Sequence, residues 1–440
     1  MEFRITQNTR LTDTDTGGQT STVCEPSGAN VGDQILVTGN WYASRSLDGG
    51  QTWAHISPFS YFPSAAGGFC CDQTVIHAPR PGDNQSNDLL VWILQYIKTD
   101  SGNTLRIAIN KGKNLDDDNW YWWDLVPNTV NQEWQQEWFD YNHAALSDNY
   151  LYVATNVFRT TDDHPTRSVV FRFSLDDLAG EKKLNFDYFQ TPEGSSLRCS
   201  QGASDVMYFT THLSDRQIRV YSWAETEQSP SPTNINITPW IGRRGYKTIG
   251  PGGQVNMWLG RSDPRITATW VANGIIGVMW SVDKNPTLNR PQPHVRVVRL
   301  NEATKEIEDE PDIWNASFAY AYPDACPNID GEVGITLFRG GGTIHPSHVV
   351  GIWNTDSWSL QGTINGTHSP IDNKWGDYLT CRRHSPDGRG WLASGFTLQG
   401  GGMQTDIQPC IIHFDPVPIA PIAADITTLE TDNKSSGIIA

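Results

Sequence analysis

The stretch Ser46-Leu47-Asp48-Gly49-Gly50-Gln51-Thr52-Trp53 is the strongest local signal in the sequence. Apolar, strand-like runs at 35–37 and 41–44 come before it, and its last two residues begin another. An aspartate side chain can accept hydrogen bonds from the backbone amides of its own turn, and glycine readily takes a positive φ. β-Branched and aromatic residues suit the strand that follows. The stretch therefore predicts a tight turn between two strands.

Working outward from this turn, the same order of signals recurs along the chain. Each unit has a polar opening, an apolar strand, a turn, and a strand of alternating apolar and polar residues. The seven openings are marked by Glu25, Asp72, Asp140, Gln201, Asp263, Asp324 and Asp377. Equivalent strand centres lie about 50 to 80 residues apart, which is typical of propeller blades with insertions. The pattern predicts an all-β chain folded as a seven-bladed β-propeller of four-stranded antiparallel blades. A six-bladed ring and a pair of β-sandwiches are the alternatives.

The two ends of the chain are expected to close this ring. The seventh unit lacks an outer strand, and the run 3–6 can supply it by pairing with the last strand. A single propeller domain is thus predicted over residues 1–418. The segment 419–440 has no periodicity and is expected to wrap around the domain or fray.

Composition narrows the class of protein. The 440 residues include 18 Trp, 39 Gly and 26 Pro, and only 18% are charged, which suits short strands joined by tight turns. The formal net charge of −17 argues against binding to nucleic acid, which needs a basic surface.

No apolar run is long enough for a membrane span. The N-terminus has no signal pattern, so the protein is either intracellular or the chain begins at a mature end. We expect a secreted or periplasmic monomer.

The seven openings should meet at one mouth of the central channel, where their side chains could carry chemistry. His, Tyr and a carboxylate are suited to acid/base catalysis, and the candidates are His143, Asp377, Tyr378 and Tyr141. Arginines and an amide could bind substrate, and the candidates are Arg198, Arg261, Arg382 and Gln201. Oxygen ligands could hold Ca²⁺, and the candidates are Asp72, Asp263 and Asp324. The alternative is that these polar residues cap backbone amides around a water-filled channel.

The cysteines leave several interpretations open. Cys24, Cys71, Cys199 and Cys326 occupy the same register in four units. They are best explained as small buried side chains, although a soft metal or a bridge from Cys70 or Cys71 to Cys24 are alternatives. An odd number leaves at least one thiol unpaired.

The pattern Ser-x-Asp-x-Gly-x-Thr-Trp at 46–53 resembles the Asp box of the Asp-box, or BNR-repeat, β-propellers, which include the sialidases. A degenerate copy occurs at Asn354-Thr355-Asp356-Ser357-Trp358. The resemblance implies that the box is a folding element on the face away from the active site. Sialidases are six-bladed and carry an Arg-Ile-Pro motif near the start, whereas this chain has Arg4-Ile5-Thr6, so no triad arginine is assigned.

Two classes of function follow. The first is a carbohydrate-active enzyme, either a glycoside hydrolase of sialidase-like type or a polysaccharide lyase, acting on a glycan or small-molecule ligand at the channel mouth. The second is a non-catalytic propeller that binds glycans, as a lectin does, or proteins.

Overall fold

The structure is a computed structural model that describes residues 2–116, 119–192, 196–242, 245–256 and 258–417. The predicted tail at 419–440 lies outside these residues. No helix in the described ranges has the length and apolar character needed to cross a membrane.

Seven four-stranded antiparallel sheets form a ring of blades, numbered here 1 to 7 in chain order. The first strands of neighbouring blades contact one another, so they line the central axis. From the inner to the outer strand, blade 1 consists of Ser27–Val31, Gln34–Thr38, Ala43–Ser46 and Ala54–Ile56. Blade 2 consists of Phe69–Ala78, Leu89–Tyr96, Leu105–Lys111 and Trp120–Leu125. Blade 3 consists of Glu137–Leu146, Tyr150–Arg159, Pro165–Ser174 and Phe186–Thr191.

Blades 4 to 6 repeat the arrangement. From the inner to the outer strand, blade 4 consists of Arg198–Cys199, Val206–Ser214, Gln217–Ala224 and Ser231–Asn236. Blade 5 consists of Ile266–Ala272, Ile275–Val282, His294–Asn301 and Ile307–Asp309. Blade 6 consists of Ala319–Pro327, Val333–Gly341, Ile344–Trp353 and Trp358–Ile364. The long connection 237–265 between blades 4 and 5 carries a hairpin of Thr248–Ile249 and Val255–Asn256.

Blade 7 closes the ring with both ends of the chain. Its strands are Thr380–Arg383, Trp391–Leu398, Ile407–Pro416 and, as the outermost, Phe3–Arg10. The N-terminal strand runs antiparallel to the last strand, with Phe3 opposite Pro416 and Arg10 opposite Cys410. The predicted seven blades and their closure are confirmed, and the six-bladed alternative is wrong.

Among the described residues, helices are few and short. The α-helices are Asp13–Thr16, Pro127–Val130 and Leu175–Ala179, and the 3₁₀ turns are Asp83–Gln85, Pro251–Gly253, Pro286–Leu288 and Gln404–Asp406.

Burial follows from each strand's place in its blade. The second strand of blade 2, Leu89–Tyr96, is buried along its whole length because neighbouring blades cover both faces. The outermost strand, Phe3–Arg10, alternates half-buried and exposed side chains because only one face is covered. The core therefore lies between the blades, in clusters such as that of Ile107, Phe139 and Phe171 at the boundary of blades 2 and 3.

The turn at 46–53 joins the third and fourth strands of blade 1, as predicted. Asp48 Oδ1 accepts from the amides of Gln51, at 3.0 Å, and Thr52, at 2.9 Å. The Thr52 hydroxyl donates to Asp48 Oδ2 at 2.6 Å, and these bonds lower the pKa of Asp48 to about 2. Gly49 and Gly50 take φ values of 73° and 85°. Because antiparallel strands alternate in direction, this turn lies on the face opposite the starts of the inner strands.

Candidate functional site

A cavity of about 1440 Å³ opens at the face where the inner strands begin. Its lining residues lie beside the starts of inner strands in several blades, among them Glu25, Asp72, Asp140, Tyr141, Asp263 and Asp377. The long connection between blades 4 and 5 contributes one wall, through Trp240, Arg261 and Arg265. The predicted convergence of the openings is thus largely realised, although the Asp324 and Gln201 openings do not line the cavity.

Irregular backbone shapes this mouth. Glu25, Asp72, Tyr141 and Tyr322 have φ values of 50°, 41°, 60° and 58°, which are uncommon for residues other than glycine. Three of them sit in β-bulges, since the strand register shifts between 71 and 74, 140 and 143, and 321 and 324. A bulge bends its strand and redirects side chains, and such strain collects at functional sites. Glu25, Asp72 and Tyr141 all line the cavity.

Glu25 and Asp72 form a carboxyl–carboxylate pair. Glu25 is 3% exposed and shares a side-chain hydrogen bond with Asp72. Burial, together with the negative charges of Asp72 and Asp377, raises the pKa of Glu25 well above its usual value. The protonated Glu25 is therefore the donor and Asp72 the acceptor. One Glu25 oxygen also accepts from the Asp377 backbone amide at 3.0 Å.

Two more acidic groups belong to this cluster. Burial first, and then the charge of Asp140, raises the pKa of Asp72 to about 7. Burial also raises the pKa of Asp140, although Gln95 Nε2 donates to its Oδ1 at 2.8 Å and opposes this. We call Glu25, Asp72, Asp140 and Asp377 the carboxylate cluster.

Two arginines face this cluster from the wall between blades 4 and 5. Arg265 makes two bonds to Asp263, at 2.8 Å and 2.6 Å, and its Nη1 lies 3.6 Å from Asp377 Oδ2. Arg261 Nη2 lies 3.5 Å from the same oxygen and has a side chain 44% exposed. Arg265 also stacks on the ring of Tyr141, 4.4 Å from its centroid. Two cations thus lie beside one oxygen of Asp377.

The two candidate tyrosines are packed together beneath the cluster. The Tyr141 and Tyr378 rings are 5.8 Å apart, and Tyr141 lines the cavity whereas Tyr378 does not. Burial raises the pKa of Tyr141 to about 12 and that of Tyr378 well above its usual value. Neither hydroxyl has a hydrogen-bond partner among the residues that the structure describes. Both phenols are therefore neutral near pH 7.

Other predicted site residues lie deeper, away from the cavity lining. Asp324 is 1% exposed and binds Arg198 at 2.8 Å and Arg382 at 3.1 Å, and it also accepts from the Cys381 amide at 2.9 Å. These two arginines are therefore engaged with an internal carboxylate. Gln201 donates to the Ala144 carbonyl at 2.9 Å and bridges inner strands.

His143 is also buried below the mouth and does not line the cavity. Burial first, and then the charges of Arg198 and Arg382, lower its pKa well below the usual value. It is consequently neutral at physiological pH.

The predicted calcium ligands are not brought together as a set. Asp72 pairs with Glu25, Asp263 with Arg265, and Asp324 with two arginines. Within the described ranges, no group of three or more His, Cys, Asp or Glu side chains is arranged to hold a metal ion.

The disulfide pairing in the structure differs from one of the predicted alternatives. Cys70 and Cys71, adjacent in sequence, form a disulfide with each other, and Cys24 is a free, buried thiol. The bridge to Cys24 is therefore wrong. Cys24, Cys199 and Cys326 are small buried side chains, as expected.

Sequence patterning places Glu25 and Asp140 at unit openings that meet at the mouth but does not single them out for a catalytic or binding role. What distinguishes Glu25 is its hydrogen bond to Asp72, made across two blades. The only available signal is the parallel between Cys24-Glu25-Pro26-Ser27 and Cys71-Asp72-Gln73-Thr74, which places the two carboxylates in register.

Comparison with known proteins supplies no family. No family model and no curated protein matches the chain. Among solved structures, it is similar to the GH93 α-L-arabinofuranosidase of Fusarium graminearum (11% identity, TM-score 0.46, covering 93% of this chain and 97% of that one). It is also similar to the α-L-arabinanase of Penicillium chrysogenum (12% identity, TM-score 0.43, covering 92% and 98%). Identities this low say nothing about a shared activity.

Proposed function

We propose that the chain is a glycoside hydrolase whose active centre is the carboxylate cluster at the channel mouth. The observation that carries the proposal is the Glu25–Asp72 pair, in which a buried carboxyl group keeps its proton and faces other carboxylates. Glycoside hydrolysis commonly uses two carboxyl groups in different protonation states, one as an acid and one as a base or nucleophile.

Glu25 is the proposed general acid, which protonates the oxygen of the leaving sugar. Asp377 is the proposed base or nucleophile, because Arg261 and Arg265 lie within 3.6 Å of its carboxylate and its side chain is 16% exposed. Asp72 acts through Glu25, by holding the shared proton. Asp263 holds Arg265 beside Asp377, and the charge of Asp140 helps to keep the pKa of Asp72 raised.

The rest of the cavity suits a neutral glycan of more than one sugar. Its volume of about 1440 Å³ exceeds that of ordinary small-molecule pockets. Trp41 and Phe158 line it, are half-buried, and offer apolar faces on which sugar rings can stack.

The same geometry favours a hydrolase over the two more specific predictions. A lyase that uses His143 and Tyr141, as the sequence suggested, needs both side chains at the substrate, but His143 does not line the cavity and burial raises the pKa of Tyr141 to about 12. A sialidase-like site needs several arginines for the substrate carboxylate, but Arg198 and Arg382 bind Asp324, and Arg261 and Arg265 lie against Asp377.

The test is release of reducing ends from a panel of neutral oligosaccharides and polysaccharides, together with p-nitrophenyl glycosides. The wild type should release product, and Glu25→Gln should lower kcat by about 10²- to 10⁴-fold on natural linkages. The loss should be smaller for p-nitrophenyl glycosides, whose leaving group needs little protonation.

Asp377→Asn should be inactive on both kinds of substrate. Asp187→Asn, which changes a carboxylate on an outer strand of blade 3, is the matched control and should retain activity. Glycan binding by the wild type without any product would reject the hydrolase and support the lectin-like alternative.

A further inference from the structure

The position of the Cys70–Cys71 disulfide is not explained by a contribution to the stability of the fold. It joins neighbouring residues at the start of the inner strand of blade 2, and both cysteines line the cavity. A disulfide stabilises a fold chiefly by closing a loop in the unfolded chain. One between adjacent residues closes no such loop, so its effect must be local.

The local effect is an additional irregularity in the strand. Blade 2 shifts register between 69 and 71 and again between 71 and 74. The inner strands of blades 3 and 6 show only one shift each, at 140–143 and 321–324, and have no cysteine pair there. The bulge itself thus forms without a disulfide, and the first shift is the feature that accompanies the bond.

Asp72, the residue that follows the disulfide, is clamped by both neighbouring blades. Its amide donates to Asn40 Oδ1 at 3.0 Å, and its carbonyl accepts from Asn142 Nδ2 at 2.8 Å. Gln95 Nε2 lies 4.0 Å from Cys71 Sγ and donates to Asp140 at 2.8 Å. The disulfide is therefore connected to two members of the carboxylate cluster, to Asp72 through the backbone and to Asp140 through the Gln95 side chain.

We propose that the Cys70–Cys71 disulfide is a positioning element for the carboxylate cluster, which fixes the additional register shift at 69–71 and thereby the position of Asp72 beside Glu25. This inference rests on the proposed function of that cluster. Without the bond, residues 70–72 gain backbone freedom, and the Glu25–Asp72 hydrogen bond is lost for much of the time. The other titratable groups that face this pair are Asp140, Asp377, Tyr378 and Arg265.

The bond can be broken selectively. Cys70 and Cys71 are half-buried at the cavity, whereas the five free cysteines are fully buried. Burial raises the pKa of Cys199 and of Cys410 to about 12, so these thiols are unreactive. A water-soluble phosphine supplies two electrons to the disulfide and is oxidised to its phosphine oxide, with water providing the oxygen and the two protons. Mild treatment should therefore expose two alkylatable thiols.

The experiment compares native protein, phosphine-treated protein and the double variant Cys70→Ser/Cys71→Ser. Peptide mass mapping should find Cys70 and Cys71 protected before treatment and alkylated after it. We expect kcat/KM to fall by about 10- to 100-fold in the reduced protein and in the double variant. The basic limb of the pH profile should move to lower pH by about one unit, because Glu25 loses its constrained neighbour. The phosphine should not affect the double variant.

A second measurement does not depend on activity. The pH dependence of urea unfolding reports the proton held by the Glu25–Asp72 pair, and its slope between pH 4 and pH 7 should flatten in the double variant. If the wild type has no hydrolase activity but the slope flattens, the proposed function fails and the positioning role stands. An unchanged slope and pH profile in the reduced protein, or free thiols at Cys70 and Cys71 before treatment, would overturn the positioning role.

Discussion

At the scale of single residues, the Glu25–Asp72 pair makes stability depend on pH. Both folded-state pKa values lie above those of the unfolded chain, and that of Asp72 is about 7. Their contribution is fully present below about pH 4 and is lost as pH rises towards 7 and beyond, because the unfolded state then binds fewer protons. Glu25→Gln removes a group that must take up a proton when the chain folds at neutral or basic pH.

Glu25→Gln should consequently be more stable than the wild type at pH 8 by about 1–3 kcal/mol, and the difference should shrink towards pH 4. Urea unfolding followed by fluorescence across this pH range measures it. Asp187→Asn is the control, since its carboxylate is 60% exposed. A variant less stable than the wild type at pH 8 would show that the proton is not held as described.

Asp324 is a residue on which folding depends. It is the shared partner of Arg198 and Arg382, and all three side chains are at most 4% exposed. Removing one member of a buried ion pair leaves uncompensated charge and typically costs about 3–5 kcal/mol. Asp324→Asn should therefore unfold at much lower urea concentration.

The pair of Arg159 and Asp162, with side chains 49% and 51% exposed, provides the comparison, because exposed pairs contribute at most about 1 kcal/mol. Equal small losses for Asp324→Asn and Asp162→Asn would contradict the structural role given to the Arg198–Asp324–Arg382 cluster.

At the scale of elements, the turn at 46–53 stabilises blade 1 without taking part in chemistry. The Asp48 side chain accepts four bonds that hold the turn, from the Ser46 and Thr52 hydroxyls and the Gln51 and Thr52 amides. Asp356, in the degenerate copy at 354–358, accepts one from the neighbouring Ser357 hydroxyl at 3.1 Å. Asp48→Ala should lower the thermal unfolding midpoint, and Asp356→Ala should change it less. Neither should alter kcat/KM, because the turn is on the face away from the cavity. Loss of activity in folded Asp48→Ala protein would contradict this placement.

The sequence was sufficient to predict the strands but not the β-bulges. Apolar runs such as 89–96 predict strands well, since a strand covered on both faces needs a continuous apolar run. A bulge adds residues to one strand and reverses which face the following side chains occupy. The pattern around Asp140-Tyr141-Asn142-His143 could therefore not show that Tyr141 reaches the cavity and His143 does not.

At the scale of the whole molecule, the ring depends on the strand Phe3–Arg10. It covers the last strand, Ile407–Pro416, and Phe3 and Ile5 pack against the cluster that contains Trp391 and Phe414. A chain lacking residues 1–10 would leave a long unpaired edge, which favours aggregation. It should melt at lower temperature and form oligomers by size-exclusion chromatography with light scattering.

Removal of residues 1–2 alone is the control and should change neither property. A monomeric chain that lacks residues 1–10 and melts as the full chain does would show that closure is not needed.

The sequence predicted the ring more fully than the site for a physical reason. Repeated strands are local features, and each unit carries its own signal. The site depends on contacts between distant residues, such as Glu25 with Asp72 and Arg198 with Asp324. Which carboxylate meets an arginine and which meets another carboxylate decides its protonation state, and this pairing is set only when the blades are assembled.

The most direct test of the central claim is a crystal structure of Glu25→Gln with a glycan from the substrate panel bound. The glycosidic oxygen should lie within hydrogen-bond distance of the residue-25 side chain, with Asp377 close to the sugar carbon that this oxygen leaves. A glycan bound away from the carboxylate cluster, with no linkage within reach of residue 25, would contradict the assignment of this cluster as the active centre.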